Sequence, residues 1–114
     1  MEKIVEQGLL YDFYGELLTD HQKKIYEDAV YNDMSLAEIA EKNDVSRQAI
    51  SDIIRRCTII LKSYEDRLHM IKRFDELMET AKALKAYAGD TSISSNELSA
   101  KVTELSDKII EELS

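Results

Sequence analysis

Apolar residues recur along this chain at intervals of three and four, the spacing that places them on one face of an α-helix. This periodicity predicts a first helix over residues 3–17, a second over 20–31 and a last helix over 96–113. Thr19 and Gln22 are spaced as a capping box, in which each side chain satisfies a backbone N–H at the start of a helix. The pattern therefore predicts helices that begin at defined caps.

Residues 35–57 are predicted to form two helices joined by a tight turn. Ser35 and Glu38 form a second capping box, which starts the first of these helices. Asp44 ends that helix, because aspartate tolerates the left-handed backbone that a sharp turn needs, although glycine adopts it at lower cost. Ser46 caps the helix that follows. This arrangement is typical of a helix-turn-helix.

The second helix of this motif has an apolar stripe from Ala49 to Cys57 and an opposite polar face. On a polar face of this kind, arginine suits phosphate or guanine and glutamine suits adenine in the major groove of DNA. Asp52 interrupts the face with a negative charge. The candidate nucleic-acid-binding residues are Ser46, Arg47, Gln48, Ser51, Arg55 and Arg56.

Several stretches of the sequence resemble known proteins. The run LAEIAEKNDVSRQAI, from Leu36 to Ile50, is similar to the helix-turn-helix of sigma-factor region 4. The wider stretch LLYDFYGELLTDHQKKIY, together with SLAEIA, VSRQAISD and YEDRLHM, resembles the YlxM family of small bacterial proteins, which are named as regulators of the signal recognition particle pathway. The resemblance covers about the first two thirds of the chain. It implies an all-helical fold and a link to protein targeting.

The composition favours an all-α protein, since the chain has no Pro, three Gly and 33% charged residues. We expect a single helical domain over residues 1–114, a bundle that contains a sigma region 4-like helix-turn-helix at 35–57. Neither Gly nor Pro occurs between that motif and Gly89, so the second helix of the motif should continue as one long helix, either straight or bent. With the C-terminal helix, this makes five helices. Residues 58–114 are the predicted association region.

Two apolar patterns support association. Residues at alternating spacings of three and four, from Ile54 to Met78, are typical either of a coiled-coil seam or of a face packed inside a bundle. The last helix carries a narrow stripe that a short domain does not easily cover. We therefore predict a homo-oligomer, with a dimer favoured, through Leu98, Val102, Leu105, Ile109 and Leu113.

The net charge of −8 opposes simple DNA binding, which usually rests on a basic surface. The charge is uneven: residues 1–34 carry −5, residues 35–62 carry +1, residues 63–88 are neutral and residues 89–114 carry −4. The helix-turn-helix is thus the least acidic part of the chain. Any affinity of one copy for DNA should be weak and sensitive to salt.

Neither an enzyme nor a cofactor or metal site is indicated. His21 and His69 are far apart and match no metal or triad spacing, and Cys57 is the only cysteine and lies on an apolar face. No segment approaches the roughly 18 apolar residues that a membrane span needs, and the acidic start is unlike a signal peptide. We therefore expect a cytoplasmic protein without membrane insertion.

Three functions remain open on the sequence. The first is a regulator that inserts the helix beginning at Ser46 into DNA. The second is an interaction protein that binds a protein or RNA component of the signal recognition particle without DNA, steered by its acidic flanks. The third is an oligomeric scaffold that binds no DNA.

Overall fold

The computed structural model describes residues 3–114, which form six α-helices, one turn of 3-10 helix and no strand. The all-α prediction is confirmed. The chain divides into two compact units, one that ends at Ile71 and one over Lys72–Ser114, and the single domain stays a prediction. The elements are α1 (Lys3–Tyr14), the 3-10 turn (Gly15–Leu17), α2 (Asp20–Val30), α3 (Leu36–Asn43), α4 (Arg47–Leu68), α5 (Met70–Ala88) and α6 (Ser95–Leu113).

The core of the first unit is built around α4, which packs against α1, α2 and α3. One half of this core joins α1 and α2 to the later turns of α4, and the other half joins α2 and α3 to its first turns. The buried residues of the first half are Leu10, Tyr14, Leu18, Tyr26, Cys57 and Leu61. Those of the second half are Ile25, Ile39, Ala40 and Ile50.

The predicted helix caps are confirmed. The Thr19 side chain accepts a hydrogen bond from the Gln22 N–H at 3.2 Å, and the Gln22 side chain accepts one from the Thr19 N–H at 3.0 Å. The Ser46 hydroxyl accepts a hydrogen bond from the Ala49 N–H at 3.1 Å, as expected for the cap of α4. Local side-chain chemistry therefore sets where these helices begin.

The long helix predicted after the helix-turn-helix is interrupted at His69. This residue has φ 54° and ψ 31°, so α4 ends at Leu68 and α5 begins at Met70. The described residues 3–114 accordingly form six α-helices, not five. A left-handed backbone is unfavourable for a residue with a Cβ, so tertiary contacts must hold this break.

Those contacts come from Tyr14 and Glu65. The Tyr14 hydroxyl donates to the Glu65 Oε1 at 2.5 Å and accepts from the Met70 N–H at 3.1 Å. The same Glu65 oxygen accepts from the Ile71 N–H at 2.9 Å. Two backbone donors at the start of α5 are therefore satisfied by side chains, which compensates for the left-handed turn.

Two glycines near the start of the chain should respond to alanine in opposite directions. A Cβ on Gly8 would meet Val30 at an ordinary 3.7 Å, whereas one on Gly15 would lie 2.7 Å from the Tyr11 ring. That ring stacks on Tyr26 and donates its hydroxyl to Glu27, so it cannot easily move.

We therefore predict that G8A raises the free energy of unfolding by about 0.5–1 kcal/mol and that G15A lowers it by about 1–3 kcal/mol. Urea unfolding followed by near-ultraviolet circular dichroism of the tyrosines measures both. Equal effects of the two substitutions would contradict the packing described here.

The second unit consists of residues from α5, the loop after it, and α6. The Ser94 hydroxyl caps α6 by accepting from the Glu97 N–H at 3.1 Å, and the Lys101 ammonium lies 5.4 Å from the centre of the Tyr87 ring. Within Lys72–Ser114, Thr80 alone is buried. This unit therefore has apolar stripes but hardly any closed core.

Candidate nucleic-acid interface

Helices α3 and α4 form the predicted helix-turn-helix. Asp44 takes the predicted left-handed conformation, with φ 54° and ψ 46°, and its N–H donates to the Glu41 carbonyl at 3.2 Å. Ile39 and Ile50, which pack in the same cluster, are 0% exposed. The angle between the two helices is thus held by a polar turn and an apolar contact.

A buried carboxylate joins α3 to α2. Asp28 is only 5% exposed and accepts hydrogen bonds from the Asn32 Nδ2 at 2.8 Å and the Lys42 Nζ at 2.9 Å. Its carbonyl oxygen accepts from the Met34 N–H at 3.0 Å. The sequence did not point to Asp28, because the spacing of four residues predicts that Lys42 pairs with Glu38 on the same helix. The Glu38 side chain instead accepts a hydrogen bond from the Ser35 N–H at the start of α3.

The hydrogen bonds from Asn32 and Lys42 lower the pKa of Asp28, since they favour its charged form. A lowered pKa means that this carboxylate stabilises the fold above its ordinary pKa of 3.8, and that the stabilisation is lost as the pH falls through the folded-state value. We expect D28N to lower the free energy of unfolding by about 2 kcal/mol at pH 7.

The difference between wild type and D28N should shrink as the pH falls below 4, in urea titrations at a series of pH values. D66N, which alters an exposed carboxylate of α4, is the matched control and should shift stability by less than about 0.5 kcal/mol. A D28N variant as stable as wild type at pH 7 would contradict the role of this carboxylate.

The structure places the predicted contact residues on and beside the outward side of the first turns of α4. The Ser46, Arg47, Gln48, Arg55 and Arg56 side chains are exposed, and that of Ser51 is half-buried. Arg56 is turned about 100° from Arg55 around the helix axis, so it lies at the edge of this set. Five of the six candidate residues therefore lie at the surface of the protein.

Asp52 lies beside two of these residues, Gln48 and Arg55. Its Oδ1 accepts hydrogen bonds from the Gln48 Nε2 at 3.2 Å and from the Arg55 Nη2 at 3.3 Å. The spacing of four residues predicts an ion pair of Asp52 with Arg56. The structure shows the pair with Arg55 instead, which corrects that prediction. The carboxylate neutralises part of the basic surface and holds two of its six candidate side chains.

Each of the five tyrosines in the first unit contacts the ring of another tyrosine. The apolar spacing of the sequence predicts core packing for Tyr14 and Tyr64, and the structure confirms it: Tyr14 is buried, and Tyr64 packs against the same core with its ring centre 6.1 Å from that of Tyr14. The Tyr31 hydroxyl donates to Asp12, and burial, with this bond, raises the pKa of Tyr31 to about 12. A further stack joins Tyr11 to Tyr26, with ring centres 5.8 Å apart.

Other chemistry is sparse in the part of the chain that the structure describes. Over residues 3–114, no cluster of three His, Cys, Asp or Glu side chains is arranged to hold a metal ion. Cys57 is buried as predicted, and burial raises the pKa of its thiol. None of the described helices is both long and apolar enough to cross a membrane.

The sequence matches the model of the UPF0122 family over residues 1–105, and that model is described as "Putative helix-turn-helix protein, YlxM / p13 like". The chain belongs to the UPF0122 family. The resemblance to YlxM proteins is thereby confirmed. The family description agrees with the α3–α4 motif.

Several bacterial family members are similar to this chain. The UPF0122 protein of Caldanaerobacter subterraneus subsp. tengcongensis is 46% identical over 77 residues, which are 68% of this chain and 66% of that relative. The UPF0122 protein of Halalkalibacterium halodurans is 39% identical over 105 residues, 92% of this chain and 95% of the relative. A Clostridium kluyveri relative is 45% identical over 85 residues, 74% of this chain and 76% of its own length.

Proposed function

We propose that this family member is a DNA-binding regulatory protein and not an enzyme, with α4 as its recognition helix. The observation that supports this most strongly is the outward surface that begins at Ser46, where Arg47, Gln48 and Arg55 are exposed at the start of a helix held by a left-handed turn. Such a helix start is the part of a helix-turn-helix that reaches base edges. The proposed activity belongs in the cytoplasm, where bacterial DNA lies.

The roles of the side chains follow from their chemistry. Arg47 and Arg55 would bind phosphate or guanine, and Gln48 would bind adenine. Ser46 and Ser51 would add short hydrogen bonds, while Arg56 at the edge would bind phosphate. Because few cations can contact the duplex, the affinity should fall steeply with salt.

Selection from a library of random-sequence DNA duplexes tests this proposal. The full chain should enrich related sequences, and fluorescence anisotropy should then give an affinity that falls linearly with salt on logarithmic axes. Single-stranded RNA of matched length serves as the competitor. Failure to enrich any duplex at low salt would refute DNA binding.

A second candidate is an interaction protein that binds a protein or RNA component of the signal recognition particle. The net charge of −8 and the neutralising Asp52 favour it, because both weaken DNA binding. The family resemblance supports a role in this pathway under either candidate. A pull-down of the tagged full chain, with and without nuclease, should recover targeting components, and their absence would reject the link.

Self-association through α6 is part of the proposal, with a homodimer favoured. In the proposed stripe, Leu98, Leu105 and Ile109 are half-buried, whereas Val102 and Leu113 are 38% and 69% exposed. L105K/I109K should split a dimer in sedimentation experiments, because burying an unpaired charge is costly. A wild type that sediments as a monomer at micromolar concentration, with the variant equal in mass and stability, would contradict this interface.

A further inference from the structure

A groove crosses one flank of α4, between that helix, the start of α1 and the segment that joins α2 to α3. It encloses about 690 Å³ and lies within the first unit. Met34 and Ile54 line it, together with Leu36 and Ile59, which are 42% and 60% exposed. Large apolar side chains left in solvent beside a concave surface are typical of a protein-binding site.

The charge of the groove differs from that of the chain. Among residues 3–114, those that line it include Lys3, Arg55 and Lys62 but no carboxylate, although the sequence has 23 acidic and 15 basic residues. Lys62 pairs with Glu6 at 3.2 Å, and Arg55 pairs with Asp52 at 3.3 Å. Both pairs are partly exposed, so a ligand carboxylate can replace the intramolecular partner at little cost.

We propose that this groove binds an amphipathic helix of another protein, with carboxylates beside its apolar stripe. Arg55 and Lys62 are separated by two helical turns, about 10 Å along α4. Carboxylates seven residues apart on a helix that lies along α4 would therefore meet both cations, while the apolar residues between them contact Ile54 and Ile59. Phosphates suit the groove less well, since they cannot cover its exposed apolar side chains.

The groove overlaps the proposed DNA surface. Ser51 and Arg55 line the groove and also belong to the outward surface of α4. A helix seated in the groove covers these side chains, so the partner helix and DNA exclude each other. This competition rests on the proposed function, whereas binding of the helix does not.

A phage-displayed library of helical peptides, selected against the immobilised full chain, tests the proposal. Acidic amphipathic peptides should be enriched, with carboxylates about seven residues apart. The affinity of a fluorescent enriched peptide should fall about fivefold on I59S, through lost apolar contact, and about tenfold on K62E, through charge reversal. The matched controls, L17S and R67E, alter exposed residues outside the groove and should change it less than about twofold.

Measuring DNA binding by the I59S variant separates the groove proposal from the proposed function. The substitution removes no charge, and residue 59 lies outside the proposed DNA surface. I59S should lose peptide affinity and keep the affinity for an enriched duplex, and unlabelled peptide should displace that duplex from wild type. Peptide binding without any duplex binding would support the groove and refute the proposed function.

Three results would contradict the proposal that this groove binds an acidic amphipathic helix. The first is a library that enriches no acidic amphipathic peptide. The second is an enriched peptide that binds I59S and K62E as tightly as wild type. The third is a loss of affinity of I59S for the DNA duplex equal to the loss expected for the peptide. That result would show that the groove binds nucleic acid.

Discussion

I50A is expected to lower the free energy of unfolding of the first unit by about 3 kcal/mol, a loss of more than a hundredfold in its folding equilibrium. Ile50 is 0% exposed and packs in one cluster with Ile39, Ala40 and Ile25, which come from α3 and α2. Truncation removes three carbons and leaves a cavity, because close-packed neighbours relax only in part. The helix-turn-helix angle depends on this contact, so DNA affinity should fall as well.

The same helix supplies a matched control for this substitution. Ile59 is 60% exposed, and I59A should change stability by less than about 0.5 kcal/mol. Urea unfolding followed by near-ultraviolet circular dichroism is suitable, since five of the six tyrosines lie in the first unit. An I50A variant no less stable than I59A would contradict the core described here.

R47A/R55A should lower the affinity for an enriched duplex about 100-fold at low salt, because each arginine contributes about 1–3 kcal/mol when it binds a base or phosphate. Both side chains are exposed, so the fold should tolerate the change. Fluorescence anisotropy measures the affinity, and the slope of its salt dependence should decrease in the double variant.

Two control variants separate recognition of DNA by α4 from an effect of net charge alone. R67A/K85A removes the same net charge at two exposed positions that are not among the six candidate residues and should reduce the affinity less than about threefold. D52N should raise the affinity about fivefold, because it removes a carboxylate that holds Gln48 and Arg55. Equal losses in the two double variants would show that only net charge matters and that α4 does not recognise DNA.

The helix starts and the helix-turn-helix could be predicted from the sequence because their causes are local. A serine or threonine hydroxyl accepts a hydrogen bond from the backbone N–H three residues later, and Asp44 itself adopts the left-handed conformation of the turn. The apolar spacing likewise identified Ile50 and Cys57 as buried. Helical spacing also predicts that Leu36 shares the buried face of Ile39, and here the prediction is wrong, since Leu36 is 42% exposed at the first position of α3.

The break at His69 could not be predicted, because its causes are distant in sequence. Tyr14 lies 55 residues before His69, and no Gly or Pro marks the end of α4. The same holds for Lys42, which binds Asp28 across two helices rather than a carboxylate on its own helix. Spacing rules identify partners within one helix, whereas these hydrogen bonds depend on how helices pack.

The arrangement of the candidate site could be predicted only in part, again because it depends on how the helices pack. The sequence placed six residues on or beside one polar face of α4, and the structure puts five of them at the surface and leaves Ser51 half-buried. It did not indicate the groove, since α4 meets the start of α1 and the segment around Met34 only through tertiary packing.

Chemical-shift mapping of the full-length, ¹⁵N-labelled protein with an enriched DNA duplex is the most direct test of the central claim that α4 recognises DNA. We predict that the largest amide shifts lie within residues 46–56 and that they vanish at high salt. Shifts confined to α5 and α6, or none at low salt, would contradict it.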